Sequence, residues 1–278
     1  MKLVYLGTPE MAVPPLRALV DAGHEVVLVV TRVDKRRGRG SATSPSPVKV
    51  AALELGLPVS HSVDDVPSAV DRDGVELGVV VAFGQIVKPR VLDVLPMVNL
   101  HFSLLPRWRG AAPVERALLA GDDTTGVCVM AVEETLDTGG VYARREVAIG
   151  AETTAAELRS TLLDAGTDLL VETLSRPLRD WIDRPEPQSG EPTYAAKFGS
   201  ADLEIDWSRP VEEVHRLIRV GGAWTTFRGK RLKILEARLE DGVLVPVVVQ
   251  PEGKSAMAFA AWRNGAQPTA DELFGGAT

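Results

Sequence analysis

Two rhythms of apolar and polar positions alternate along the first half of the chain. Short, nearly continuous apolar runs at 2–7, 25–31, 75–83 and 98–103 predict buried strands. Between them, apolar residues recur every three or four positions at 11–22, 46–55, 88–95 and 113–120, which predicts helices. The first helix is opened by Thr8-Pro9-Glu10, a start signal with proline and an acidic residue. Strands apolar on both faces and separated by helices imply a mostly parallel sheet covered on both sides. The expected fold class is therefore α/β, a doubly wound sheet.

Beyond residue 124 the rhythm changes. Strands are expected at 125–134 and 140–149, joined through Leu136-Asp137-Thr138-Gly139-Gly140, and a long helix at 154–174. Residues 176–192 are rich in Pro, Asp and Glu and read as a linker. After Tyr194 come short strands at 224–227, 232–236 and 243–249 with one helix at 211–220. The expected division is a catalytic domain over 1–180, a linker over 181–196 and a small β-rich domain over 197–278.

A doubly wound sheet raises the question of a dinucleotide. The turn after the first strand, Gly7-Thr8-Pro9-Glu10-Met11, carries one glycine where Gly-x-Gly-x-x-Gly needs three for close approach to a pyrophosphate. No Gly-x-x-x-x-Gly-Lys-Ser/Thr motif is present either. Composition narrows the field further. The 278 residues are 45% hydrophobic and 25% charged, the proportions of a globular protein, and the formal charge of −7 argues against a generic nucleic-acid coat. One cysteine, Cys128, excludes an intrachain disulfide and a thiolate cluster. The histidines at 24, 61, 101 and 215 lack metal-ligand spacing, so no metal is expected. The N-terminal run meets Thr8-Pro9 too soon for a secretory signal, and no apolar run reaches membrane-span length. A cytoplasmic monomer without membrane attachment is expected.

Candidate chemistry gathers around Asn99, His101 and Asp137. On a strand, Asn99 and His101 point to one face, and Ser103 can continue that row. An asparagine amide can donate to a developing oxyanion, and a neutral imidazole can accept a proton. A turn could bring the Asp137 carboxylate over the histidine, orienting the ring and raising its pKa. That trio suits attack of an amine on a carbonyl. The same residues could equally be structural: a strand-end amide, a satisfied buried histidine and a turn-forming aspartate. Residue types alone leave both readings open. The run from Arg32 to Pro47, with Arg36, Arg37 and Arg39 among its five basic residues, is either a solvated loop or one that orders on RNA phosphates.

The stretch Asn99-Leu-His-Phe-Ser-Leu-Leu-Pro-Arg-Trp-Arg-Gly-Ala-Ala-Pro113, followed by Leu136-Asp-Thr-Gly139, resembles the signature of the 10-formyltetrahydrofolate-dependent formyltransferases. Similar segments include Gly7-Thr-Pro-Glu10, Gly38-Arg-Gly40, Ser44-Pro-Ser-Pro-Val-Lys49, Val81-Ala-Phe-Gly-Gln-Ile86, Thr193-Tyr-Ala-Ala-Lys197 and Ile205-Asp-Trp207. The likeness spans residues 1–240 or so. It implies that Asn99, His101 and Asp137 are catalytic and that 10-formyltetrahydrofolate is the co-substrate, with no metal. It further implies a folate pocket built from Phe83, Gly84, Gln85 and Ile86, from Ser103, Leu104, Leu105 and Pro106, and from Thr138, Gly139 and Gly140. Arg36, Arg37 and Arg39 would contact a tRNA, Arg39 foremost, with initiator methionyl-tRNA as the acceptor. The alternatives are an amino sugar nucleotide as acceptor, hydrolytic release of formate, or a non-catalytic folate- or RNA-binding protein. Two departures stand out: Gly140 follows Thr-Gly where the family often has an acidic residue or proline, and the C-terminal region is short. The second domain is therefore expected to be an abbreviated, OB-like β domain.

Overall fold

A computed structural model of the chain describes residues 1–36, 43–269 and 272. Seven strands form the main sheet: β1 (Lys2–Gly7), β2 (Glu25–Val30), β3 (Val59–Ser60), β4 (Leu77–Val81), β5 (Met97–His101), β6 (Thr124–Ala131) and β7 (Val141–Ala148). Their spatial order is β7-β6-β5-β4-β1-β2-β3. The pairs β1/β2, β1/β4, β2/β3 and β4/β5 are parallel, whereas β5/β6 is antiparallel. The doubly wound, mostly parallel sheet expected from the apolar rhythm is present. The strand order reverses direction between β1 and β4, and there the Thr8 hydroxyl donates to the Phe83 carbonyl at 3.2 Å, joining the two strand ends. In open α/β sheets such a switch point is where ligands enter.

Both faces of the sheet are covered. Helices α1 (Val13–Asp21), α2 (Pro47–Glu54), α3 (Val66–Asp73) and the single turn α4 (Pro89–Leu92) connect the first strands. Alternate residues of β1 separate the layers. Val4 and Leu6 join a core with Val66 and Ala69 of α3, Val91 of α4 and Met97 of β5. Tyr5 points the other way, and its hydroxyl donates to the Ala12 carbonyl at 2.6 Å. Ser46 caps α2 by accepting the Lys49 N–H at 3.0 Å. The helix expected over 88–95 is shorter because Pro96 follows, which disfavours helical geometry at Leu95, and the chain must turn into β5. Neither β3 nor α3 is evident in the apolar pattern, since α3 buries only Val66 and Ala69 in an otherwise polar stretch. After α5 (Pro113–Ala120), the 20-residue α6 (Ala155–Leu174) crosses β5 and β6 where Gly166 lets Leu100 and Val127 approach.

Contacts divide the chain into two compact units that are not contiguous in sequence. The first comprises Met1–Gly110, Gly126–Val147 and Thr161–Tyr194; the second comprises Ala111–Thr125, Ala148–Ser160 and Ala195–Thr278. The second unit carries α7 (Val211–Val220), the antiparallel sheet β8 (Trp224–Phe227), β9 (Lys230–Glu240), β10 (Val243–Pro251) and β11 (Met257–Ala258), and α8 (Phe259–Ala266). Its core is Ile205, Val214, Ile218, Ala223, Leu232, Ile234, Ala237, Val249 and Trp262. Among the described residues this sheet is small, antiparallel and four-stranded. The β9–β10 hairpin is longer than the apolar runs suggested, with irregular register around Glu236. No helix among the described residues is long and apolar enough to cross a membrane.

Two glycines make opposite stability predictions. A Cβ on Gly126, inside β6, would stand 2.2 Å from the Arg145 carbonyl oxygen and 2.6 Å from Leu104 Cδ2. Gly126→Ala should therefore destabilise the protein by about 1–3 kcal/mol or more through overpacking. Gly265 sits within α8 with nothing inside 4 Å of such a Cβ. Gly265→Ala should stabilise by about 0.5–1 kcal/mol through helix propensity. Urea unfolding of each variant checks the two signs.

Candidate active site

The site is built on the last three residues of β5 and the loop that follows. Met97, Asn99 and His101 share one strand face, because Leu100 on the other face packs against α6. Asn99 pairs in register with Val80 and Met130, and His101 with Cys128. Asn99 is half-buried, and its carboxamide makes no hydrogen bond to a described residue. His101 is 5% exposed. Opposite it, burial pushes the Cys128 thiol upward, and that side chain packs with Leu105, Met130 and Val141 rather than offering a thiolate.

From Phe102 to Gly110 the chain folds into a tight loop with a cis Leu105–Pro106 bond and a left-handed Trp108 (φ 63°). This loop turns main-chain groups onto the histidine. His101 Nε2 lies 3.0 Å from the Trp108 carbonyl. A carbonyl only accepts, so Nε2 carries the hydrogen and Nδ1 is left to take a proton. The Ser103 hydroxyl donates to the Arg107 carbonyl, and the Trp108 N–H donates to Thr193 Oγ1 at 2.8 Å.

Asp137 approaches from the turn between β6 and β7. It adopts a left-handed conformation (φ 53°), and its carboxylate lies 3.7 Å from His101 Nδ1 while accepting the Gly110 N–H at 2.8 Å. Both side chains are nearly buried, at 6% and 9% exposure. The electrostatics are a contest. Burial, which disfavours the charged ring, lowers the His101 pKa below its ordinary value, while the Asp137 charge and the Trp108 carbonyl push it up. The carboxylate acts in the expected direction, but burial outweighs it, so the ring favours the neutral, proton-accepting form.

The three residues singled out from sequence thus converge on one point. The loops expected to form a ligand pocket divide by exposure. Gly84 (φ 73°), Gln85 and Ile86 are exposed, Ile86 at 83%, and Leu136 beside Asp137 is 69% exposed. Leu104, Pro106 and Thr138 are partly buried, and Thr138 Oγ1 donates to the Thr135 carbonyl at 3.0 Å. Phe83, Ser103 and Leu105 are core residues. Gly139 and Gly140 are small out of necessity: a Cβ on Gly139 would stand 2.0 Å from the Ala131 carbonyl oxygen, and one on Gly140 2.7 Å from Pro185 Cβ. Gly140 is thus explained by Pro185 packing over it. Arg36 belongs to a two-residue ladder in which it pairs with Thr43; Arg37 and Arg39 lie outside the described residues. No group of His, Cys, Asp or Glu among the described residues is arranged to hold a metal ion.

Sequence reasoning missed the main-chain partners and one side chain. Trp108 C=O and Gly110 N–H carry no residue-type signature. Gln188, in the segment read as a linker, donates from Nε2 to the carbonyls of Asp137 (2.9 Å) and Gly139 (2.8 Å). Its only advance signal was its nearness to the Thr193-Tyr-Ala-Ala-Lys197 segment.

The chain is similar to known proteins along most of its length. Residues 1–174 match the family described as "Formyl transferase", and residues 197–242 match "Formyl transferase, C-terminal domain". A methionyl-tRNA formyltransferase of Heliobacterium modesticaldum is 46% identical over 272 residues, covering 92% of this chain and 83% of that protein. One of Jannaschia sp. is 41% identical over 295 residues, covering 96% and 97%. In fold, the N-formyltransferase of Helicobacter canadensis in complex with folinic acid and dTDP-3-aminofucose superposes with a TM-score of 0.66 at 19% identity, covering 86% of this chain and 89% of that one. With its doubly wound sheet, its small C-terminal sheet and this extent of identity, the chain belongs to the formyl transferase family.

Proposed function

We propose that the protein transfers the formyl group of 10-formyltetrahydrofolate to the α-amine of initiator methionyl-tRNA. The observation that carries the chemistry is the buried His101, its Nδ1 beside Asp137, with the uncommitted Asn99 amide two residues away on the same strand face. Family membership and the 46% identity to a methionyl-tRNA formyltransferase support the acceptor.

The residues suit a folate. The exposed apolar side chains of Ile86 and Leu136 and the open backbone at Gly84 offer what a flat heterocycle with hydrogen-bonding edges requires. When bound, the folate supplies an electrophilic formyl carbon. The protein's residues then have separable tasks. Asn99 donates from its amide to the formyl oxygen as negative charge grows there. His101 Nδ1 takes the proton that the attacking amine must lose, and the same proton is available to the folate nitrogen as the carbon–nitrogen bond breaks. Asp137 stabilises the imidazolium during that interval. One bond forms, one breaks, and the net proton count is unchanged. Arg36, Arg37 and Arg39 are assigned to tRNA phosphates, which suits a basic segment on an acidic protein.

An assay offering labelled 10-formyltetrahydrofolate with methionyl-tRNA and, separately, with an amino sugar nucleotide should show transfer to the tRNA alone; transfer only to the sugar refutes the acceptor. In the same assay His101→Ala should lower kcat/KM by about 10²–10⁴-fold and Asn99→Ala by about 10²–10³-fold.

Because burial lowers the His101 pKa, the acid limb of the kcat/KM profile should have its midpoint below 6.5, activity falling as the ring gains a proton. Asp137→Asn removes an upward influence, so the midpoint of its residual activity should move to still lower pH. An upward move would contradict the electrostatic assignment.

Arg39→Ala should weaken tRNA binding uniformly and reduce the slope of log K against log salt by about one. Unchanged affinity and slope would remove that contact.

A further inference from the structure

Gln188 spends every polar atom of its carboxamide on the site. Nε2 donates one hydrogen to the Asp137 carbonyl and the other to the Gly139 carbonyl, at 2.9 and 2.8 Å. Oε1 accepts from Arg109 Nε at 3.0 Å and Nη2 at 2.6 Å. The two groups it joins are those that set the carboxylate. Asp137 holds a left-handed backbone, uncommon for a non-glycine residue although aspartate tolerates it better than most. Gly110, the residue after Arg109, supplies the N–H that binds the Asp137 carboxylate. Gln188 therefore grips the backbone beneath the carboxylate and, through Arg109, the chain that carries its hydrogen-bond donor. Among the described residues no carboxylate pairs with Arg109, so this neutral amide is what orients the guanidinium.

We propose that Gln188 is a positioning residue that holds the Asp137 carboxylate at its station beside His101 Nδ1. The proposal rests on the reading of His101 as the proton acceptor. Its chemistry is specific to a carboxamide, the planar group that presents two donors and an acceptor at once. Glutamate in the same place keeps the acceptor for Arg109 but cannot donate to the two carbonyls. Leucine keeps neither.

The experiment compares the full chain with its Gln188→Glu and Gln188→Leu variants in three readouts: formyl transfer to methionyl-tRNA, thermal melting, and titration of the His101 ring by NMR without ligands. The signal is assigned by its loss in His101→Gln. Both variants should lose about 10- to 100-fold in kcat with KM for the tRNA nearly unchanged, since sub-ångström misplacement of a catalytic group acts on the chemical step. In Gln188→Leu the His101 ring should titrate at lower pH than in the unmutated protein, because a displaced carboxylate no longer raises it. Unmutated kcat in Gln188→Glu, or an unmoved His101 titration in Gln188→Leu, overturns the proposal. So does activity loss that merely tracks a fallen melting temperature. Should both variants fail to fold, Arg109→Met decides: it removes the group that anchors the carboxamide, and an unchanged His101 titration overturns the proposal. Absence of transfer in the unmutated protein would instead refute the proposed function, while the ligand-free titration still tests this inference.

Discussion

The hydrogen bond from the Gly110 N–H to the Asp137 carboxylate is the constraint on which the rest of the site depends. It joins two loops that belong to different strand connections, one leaving β5 and one between β6 and β7. Without it the carboxylate would have no partner near His101 and would be free to turn toward water. A buried carboxylate is tolerable only when hydrogen-bonded or paired, and here one oxygen has both a main-chain donor and a neighbouring imidazole. Everything that makes the loops rigid therefore serves this one contact: the left-handed Trp108, the Thr193 hydroxyl under its N–H, and glycines at 139 and 140 that let the turn lie against Ala131 and Pro185.

The imidazole is held in an intermediate condition by opposing forces. Burial favours the neutral ring, the carboxylate favours the charged one, and the Trp108 carbonyl fixes which nitrogen is the acceptor. A base tuned in this way can accept a proton in the transition state without carrying one at rest. In the proposed mechanism the arrangement differs from a salt bridge in purpose: Asp137 would stabilise a charge that appears only during turnover, so its attraction would act on the barrier more than on the folded protein.

Much of this was legible in the amino-acid sequence, and the limit has a physical origin. Strand alternation placed Asn99 and His101 on one face, and uninterrupted apolar runs identified β1, β4 and β5 as doubly covered strands. These signals are local and periodic. The β3 strand and α3 escaped because Val59–Ser60 is two residues long and α3 buries too few apolar residues to stand out. Residue types could nominate Asp137 but not bring it to His101, since that contact spans 35 intervening positions and is made by main-chain geometry. Gln188 was hidden more completely. A polar residue in a Pro- and Glu-rich stretch reads as solvent-facing spacer, and only the folded chain reveals that its amide is consumed by two carbonyls and a guanidinium.

The interleaving of the two compact units has a consequence for how the chain is made. Helix α5 is assigned to the second unit, where Arg216 of α7 donates to the Leu119 carbonyl and lies over Gly121. At ordinary synthesis rates, α7 leaves the ribosome on the order of 10 seconds after α5. During that time α5 and the start of α6 have no second unit to join. The two units cannot mature as beads on a string; the second has only its two short early segments until residues 195–278 arrive. A nascent chain halted near residue 194 would hold every residue of the first unit together with two stranded segments of the second.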